Sequence, residues 1–282
     1  MLNKSLVVIL CISLFNHLSA QEVPIPEIDW KALQLTKPWE ATEDTKTKPT
    51  KITPGTHAYM APSDATILFD GSDISLWQKP KYGIGADYST TNAITQNRML
   101  EDNPGTAAEW TVRDGYIEVK PGGGNIETKK AYGDVQLHIE WLSPVDTIKR
   151  GQLYSNSGVF FMGLYEVQVL NSYDNETYGN GQAGAVYKQS PPSVNASRPA
   201  GEWQVYDIIF TAPRFDSKGS VVQKAALTVI HNGVLIQNHF ECEGPTFYIG
   251  KGEYFSHAEK LPLLLQDHGD KVKFRNIWIR EL

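Results

Sequence analysis

From residue 65 onward the sequence predicts an all-β fold, a two-sheet antiparallel β-sandwich and most economically a jelly roll. Three observations carry this. Short runs of β-branched and aromatic residues are separated by Gly, Pro, Asn and Asp. Several runs alternate in polarity with period two, and no window of a dozen residues carries a convincing helical stripe. Dipeptides that favour tight hairpins, Asp114-Gly115 and Asn232-Gly233, stand between such runs. About eleven short strands in some 220 residues suit two packed sheets.

The chain of 282 residues opens on Lys4, an apolar run from Leu6 to Phe15 and a small-residue end, Leu18-Ser19-Ala20, before Gln21. That pattern reads as a secretory leader over residues 1–20, so the protein is expected outside the cytoplasm, in the periplasm or the extracellular space. The run is shorter than the roughly 20 residues a spanning helix needs, and no later stretch is apolar for long enough, so no transmembrane segment is expected. Val8-Ile9-Leu10 before Cys11 argue against a lipid-modified cysteine, which favours a small residue beside it. Leader removal leaves Cys242 as the single cysteine, which excludes an intramolecular disulfide. Residues 21–64 hold Pro24, Pro26, Pro38, Pro49, Pro54 and Pro62 among polar residues, and read as an extended arm ahead of one domain, 65–282.

Within that domain the strand candidates are 66–69, 110–113, 116–119, 135–142, 157–162, 165–170, 203–212, 225–230, 234–240, 261–266 and 272–280. Alternation sorts their faces. Val135, Leu137, Ile139 and Trp141 point one way, and Gln136, His138 and Glu140 the other. Tyr165, Val167 and Val169 share a face opposite Glu166 and Gln168. Gln266 and His268 share a face, as do Lys273 and Arg275. If these polar faces line one sheet, they form a carpet of Glu, Gln, His and Arg suited to holding a sugar.

The formal charge of −6, and the absence of a basic stripe, disfavour nucleic acid, whose binding is driven by neutralising phosphates. The 11% aromatic content, with seven Trp and thirteen Tyr, suits sugar rings, which stack apolar C–H faces on aromatic faces, although β-sandwiches are aromatic-rich for packing too. Glu140 and Glu166 are candidates for the paired carboxylates of a glycosidase. His268, Glu166 and His138 are alternatively candidate ligands for a divalent metal. A serine nucleophile lacks its Gly-x-Ser-x-Gly elbow. Gly122-Gly123-Gly124 lacks the Lys-Ser/Thr ending of a phosphate loop and reads as a turn. The sequons at Asn175 and Asn195 suggest surface loops.

Larger segments add specificity. Leu68-Phe69-Asp70-Gly71-Ser72-Asp73 with Trp77, then Tyr132 to Trp141, Asn156-Ser157-Gly158-Val159-Phe160 and Tyr165-Glu166-Val167-Gln168-Val169-Leu170 occur in order. Gly201-Glu202-Trp203, His231-Asn232-Gly233, Leu265-Gln266-Asp267-His268-Gly269 and Phe274-Arg275-Asn276-Ile277-Trp278-Ile279 follow. Over about residues 65–282 this resembles the 3-keto-disaccharide hydrolase family. The resemblance implies a concanavalin-like jelly roll, secretion by glycan-degrading bacteria, and a glycoside oxidised to a ketone at C3 as substrate. Such a ketone acidifies the C2 hydrogen, so a base removes it, the C1 substituent leaves, and water adds to the enone. Under that reading Glu166 or His268 is the base, Arg275 or a divalent metal holds the enolate, and Glu140 is the acid. Gln168, Gln266, His138, Asn156, Tyr187 and Trp203 are the expected substrate contacts. Residues 151–155, Gly-Gln-Leu-Tyr-Ser, depart from the Gly- and Arg-richer loop of the family, which points to a different substrate preference.

Two other readings stay open. A non-catalytic carbohydrate-binding module would use Trp77, Trp110, Trp203 or Tyr187 as platforms and need neither acid nor base. A conventional glycoside hydrolase would need only the two carboxylates.

Overall fold

The computed structural model describes residues 49–81 and 105–282. The expected leader and the arm up to residue 48 lie outside the described residues. Sixteen strands are present among the described residues: Thr66–Phe69 (β1), Trp77–Lys79 (β2), Thr106–Ala107 (β3), Thr111–Arg113 (β4), Tyr116–Glu118 (β5), Ile126–Tyr132 (β6), Val135–Leu142 (β7), Ser157–Phe161 (β8), Tyr165–Val169 (β9), Trp203–Thr211 (β10), Arg214–Phe215 (β11), Val221–Gln223 (β12), Ala226–His231 (β13), Val234–Glu241 (β14), Leu261–Leu265 (β15) and Lys273–Glu281 (β16). No helix among them is long and apolar enough to cross a membrane.

The strands form the expected antiparallel sandwich of jelly-roll type. One sheet has the order β14-β13-β10-β7-β16-β5-β4, with β1 also on β16; the other runs β3-β2-β6-β15-β8-β9, and β11 and β12 form a small ribbon. The predicted turns do their work with positive φ. Asp114 and Gly115 (49° and 80°) close β4 onto β5, and Asn232 and Gly233 (51° and 83°) close β13 onto β14. Both central residues of such a turn need the left-handed region, which Asn, Asp and Gly tolerate.

Period-two alternation decides what is buried. Leu137, Ile139 and Trp141 of β7 meet Tyr165, Val167 and Val169 of β9 in one core between the sheets, each 0–1% exposed. Every second residue of those strands therefore projects from the outer side of its sheet. That places His138 and Glu140 outside the larger sheet, and Glu166 and Gln168 outside the smaller one. Sheets pack about 10 Å apart, so the expected single polar carpet is instead two polar surfaces on opposite sides of the sandwich.

Residues 52–64 contain no strand or helix. They close a loop through Thr53 and Ser63, whose N–H groups each reach the other residue at 2.9 Å. The Tyr59 carbonyl accepts from Asn276 Nδ2 (3.0 Å) and Trp278 Nε1 (3.1 Å). The described end of the arm thus lies against the larger sheet, not over the smaller one.

Candidate active-site cleft

The outer side of the smaller sheet carries a cleft of about 500 Å³, within the range of small-molecule sites. β9 supplies its floor. Residues 184–187 run along the free edge of β9, with Gln168 N–H donating to the Ala185 carbonyl (3.0 Å) and Tyr187 N–H to the Glu166 carbonyl (3.2 Å). That pairing sets Tyr187 beside Glu166 on the same face. The segment from Asn125 and the one from Gln266 to His268 make the opposite wall: Gly124 N–H donates to Asp267 Oδ2, and Asp267 N–H to Asn125 Oδ1, both at 2.9 Å.

Six sequence candidates meet here: Glu166, Gln168, Asn156, Gln266, His268 and Tyr187. Glu166 is 3% exposed and has no cation within ion-pair distance among the described residues. Burial pushes its carboxyl well above the ordinary carboxylate range, which favours the neutral form. The Gln168 amide fits its surroundings with its nitrogen donating to Glu166 Oε1 (2.9 Å) and to the Ser157 carbonyl (3.2 Å). Gly158 lies under Glu166, where an added Cβ would stand 2.6 Å from Oε1. Asn156 donates through Nδ2 to the Gln152 carbonyl (2.9 Å), and the buried Gln266 Oε1 has no partner. His268 is exposed, and its ring makes no hydrogen bond to another described residue. The other carboxylate in the lining, Asp267, is occupied by backbone, since its second oxygen accepts from Gly269 N–H (2.9 Å).

The remaining four candidates are elsewhere. Glu140, Arg275, His138 and Trp203 share the outer side of the larger sheet. Glu140 accepts from Arg275 Nε (2.6 Å) and Asn276 Nδ2 (2.9 Å), and Arg275 lies over the Trp203 ring at 4.0 Å. His138 is 1% exposed, stacked on Trp278 and bonded through Nδ1 to Asp207 Oδ1 (2.6 Å). Three expectations are corrected by this placement. Glu140 and Glu166 do not flank a common bond, so they are not a glycosidase pair. Arg275 does not reach an enolate beside Glu166, and Glu140 is not the acid there. His138 does not join Glu166 and His268 around a metal, and no group of three or more His, Cys, Asp or Glu side chains suited to a metal occurs among the described residues. His138 and Trp203 are equally remote from a ligand in the cleft.

Burial disfavours the Glu140 charge, but hydrogen bonds from His138, Asn276 and Arg275 outweigh it and hold the carboxyl at about 2. Glu140 is thus a fixed anion with its partners satisfied. The sequon at Asn175 does lie in an exposed loop, but the Asn175 side chain itself is 7% exposed and its amide is bonded to Gly151 and Asn171.

Sequence reasoning missed Tyr178 and Tyr248, which form a phenolic wall with Tyr187, and Gln152 and Leu153 at the rim. The last two belong to the 151–155 loop already singled out as divergent. The tyrosines lie in loops without periodicity.

Residues 64–280 match the 3-keto-alpha-glucoside-1,2-lyase-like domain family. A solved structure of a candidate glycosyl hydrolase from Parabacteroides distasonis is similar at 44% identity and a TM-score of 0.73, covering 86% of this chain and 96% of that one. A second Parabacteroides distasonis structure, at 21% identity and a TM-score of 0.54 over 82% of this chain and 100% of that one, shares the fold. No curated protein matches the sequence significantly. Expectation and match agree over almost the same residues, and the chain belongs to the 3-keto-alpha-glucoside-1,2-lyase-like domain family.

Proposed function

We propose that this domain cleaves glycosides whose sugar carries a ketone at C3, by elimination followed by hydration. The observation that carries the reading is Glu166: a buried carboxyl without a counter-cation, beside an exposed imidazole, in a cleft otherwise lined mainly by amides and phenols. Burying such a group costs stability, and a passive sugar-binding surface has no use for that cost.

His268 is the base that removes the C2 proton, since its ring is free and reaches solvent. Glu166, neutral, donates a hydrogen bond to the C3 oxygen as it becomes an enolate, the job a protonated carboxylic acid does in an apolar site. Gln168 orients Glu166, and Asn156 and Gln266 bond sugar hydroxyls. The C1–O bond then breaks, and water adds to the enone at C1.

Export is proposed with it, supported by the leader pattern of residues 1–20. The mass of the protein recovered from the periplasm or medium, lower by residues 1–20, tests it.

The test of the reaction is aglycone release from 3-keto and ordinary forms of the same aryl glucosides, with a chelator arm that reports whether a divalent cation takes part. Release from the keto form alone supports the reading. Release from the ordinary form at comparable rate overturns it in favour of a conventional hydrolase. Binding of glycans without any release overturns it in favour of a binding module.

A further inference from the structure

Beside Glu166 the cleft wall holds an arrangement that the roles above leave unused. Tyr178 and Tyr187 hydroxyls stand 2.7 Å apart. The Lys188 ammonium lies 3.7 Å from the Tyr178 ring centroid, 5.6 Å from that of Tyr187 and 5.3 Å from that of Tyr248. No carboxylate lies within ion-pair distance of Lys188 among the described residues. Lys188 also sits at φ 63°, in the left-handed region that disfavours side chains by roughly 1 kcal/mol or more. Its N–H is held by the Asn180 carbonyl at 2.9 Å. An unpaired cation is thus kept on three phenol rings by a backbone conformation that glycine would adopt more easily.

We propose that Tyr187 is the catalytic acid for the departing glycosidic oxygen, and that Tyr178 and Lys188 are positioning residues that hold the negative charge this leaves. The role rests on the elimination reading above. Either hydroxyl can donate across the Tyr178–Tyr187 bond; with Tyr178 as the donor in the reacting complex, the Tyr187 hydrogen is directed to the substrate. Burial pushes the Tyr187 hydroxyl above its ordinary value, so it is protonated before reaction. As the C2 proton passes to His268, the electrons of that C–H bond form the enolate and then the C1–C2 double bond. The C1–O bond pair goes to the glycosidic oxygen, which takes the Tyr187 proton. The phenolate is held by the Tyr178 hydroxyl and the Lys188 charge. When water adds to C1, Tyr187 recovers a proton from it and His268 returns its proton to C2, so both groups are restored without another reactant.

An acid matters most when the leaving group is a poor one. The experiment compares 3-keto glucosides bearing a nitrophenol with those bearing a sugar or an alkyl alcohol, in wild type, Tyr187→Phe, Tyr178→Phe, Lys188→Met and Lys188→Arg. Tyr187→Phe is expected to lower kcat about 100-fold or more on the alkyl and sugar substrates, and less than about 10-fold on the nitrophenyl one. Tyr178→Phe and Lys188→Met are expected to follow the same pattern at about 10-fold with little change in KM, and Lys188→Arg to restore most of the rate. Equal losses on good and poor leaving groups, or losses confined to KM, overturn the proposal. Release from no keto substrate by wild type overturns the underlying reading, and this role with it.

Discussion

Two buried histidines respond to acid with opposite signs. His231 is 1% exposed, packs on Trp141 and Tyr206, and donates through Nε2 to Gln204 Oε1 at 3.2 Å, while its Nδ1 has no partner. Burial, and then Arg198, lower its pKa to about 3. The unfolded chain takes a proton near 6.5 that the folded one refuses, so this stabilisation is full above 6.5 and is lost as pH falls towards 3. His138 is different: burial opposes its charge, but Asp207 and Glu140 outweigh burial and raise it above 6.5. Its contribution is full below 6.5 and is lost as pH rises through the folded value. Urea unfolding at pH 7.5 and 5.5 separates them. His231→Gln should cost less at pH 5.5 than at 7.5, and Asp207→Asn should cost more at 5.5; equal losses at both pH values would refute the assignment. Glu166 supplies a third case. Its raised carboxyl costs stability once pH exceeds the unfolded value near 4.5, so Glu166→Gln should raise Tm by roughly 2–4 °C at pH 8, leave it unchanged at pH 4, and abolish turnover.

The pairing of β7 with β16 converts a strand irregularity into a binding network. The register shifts between Arg275 and Trp278, and Asn276 takes φ 46°. A bulge lets two successive residues leave the alternation, so Arg275 and Asn276 both reach Glu140. Glu140→Gln should therefore destabilise the domain by about 2 kcal/mol at pH 7. The difference from wild type should shrink as pH falls from 4.5 towards 2, where the wild-type carboxylate is itself protonated. A constant difference across that range, by chemical denaturation, would exclude the network as its cause. Elements of this kind explain what sequence reading reaches. All eleven predicted strands exist within one or two residues at each end, because alternation is a local property. β6 was missed since Glu127 and Thr128 are buried while Lys129 and Lys130 are exposed, a pattern without period two. Alternation put His138 with Glu140, and Glu166 with Gln168, correctly on shared faces. It carries no information on which sheet a strand joins, and the assignment of Glu140, Arg275, His138 and Trp203 to one site with Glu166 failed on that point alone. Tyr178 and Lys188 sit in loops fixed by single hydrogen bonds and a positive φ, for which no sequence pattern exists.

At the scale of the whole molecule, the core between the sheets separates the cleft from the Glu140 network. No disulfide joins the described parts; Cys242 is fully buried, and burial pushes its thiol to about 12. Cohesion comes from packing, and close-packed interiors transmit strain only where contacts are shared. The cleft residues and the Glu140 network contact the core from opposite sides and share no hydrogen-bond partner. Their effects should therefore add. In the Glu140→Gln, Glu166→Gln double variant, the change in unfolding free energy should equal the sum of the single changes within about 0.5 kcal/mol. The signs should be opposed at pH 8, with loss from Glu140 and gain from Glu166. Glu140→Gln alone should retain wild-type kcat and KM on a 3-keto glucoside at 20 °C, and Trp203→Ala should retain KM. A Glu140 variant that folds at that temperature yet loses kcat more than about 10-fold would mean that the larger sheet takes part in the chemistry, and the division of labour between the two sheets would fall.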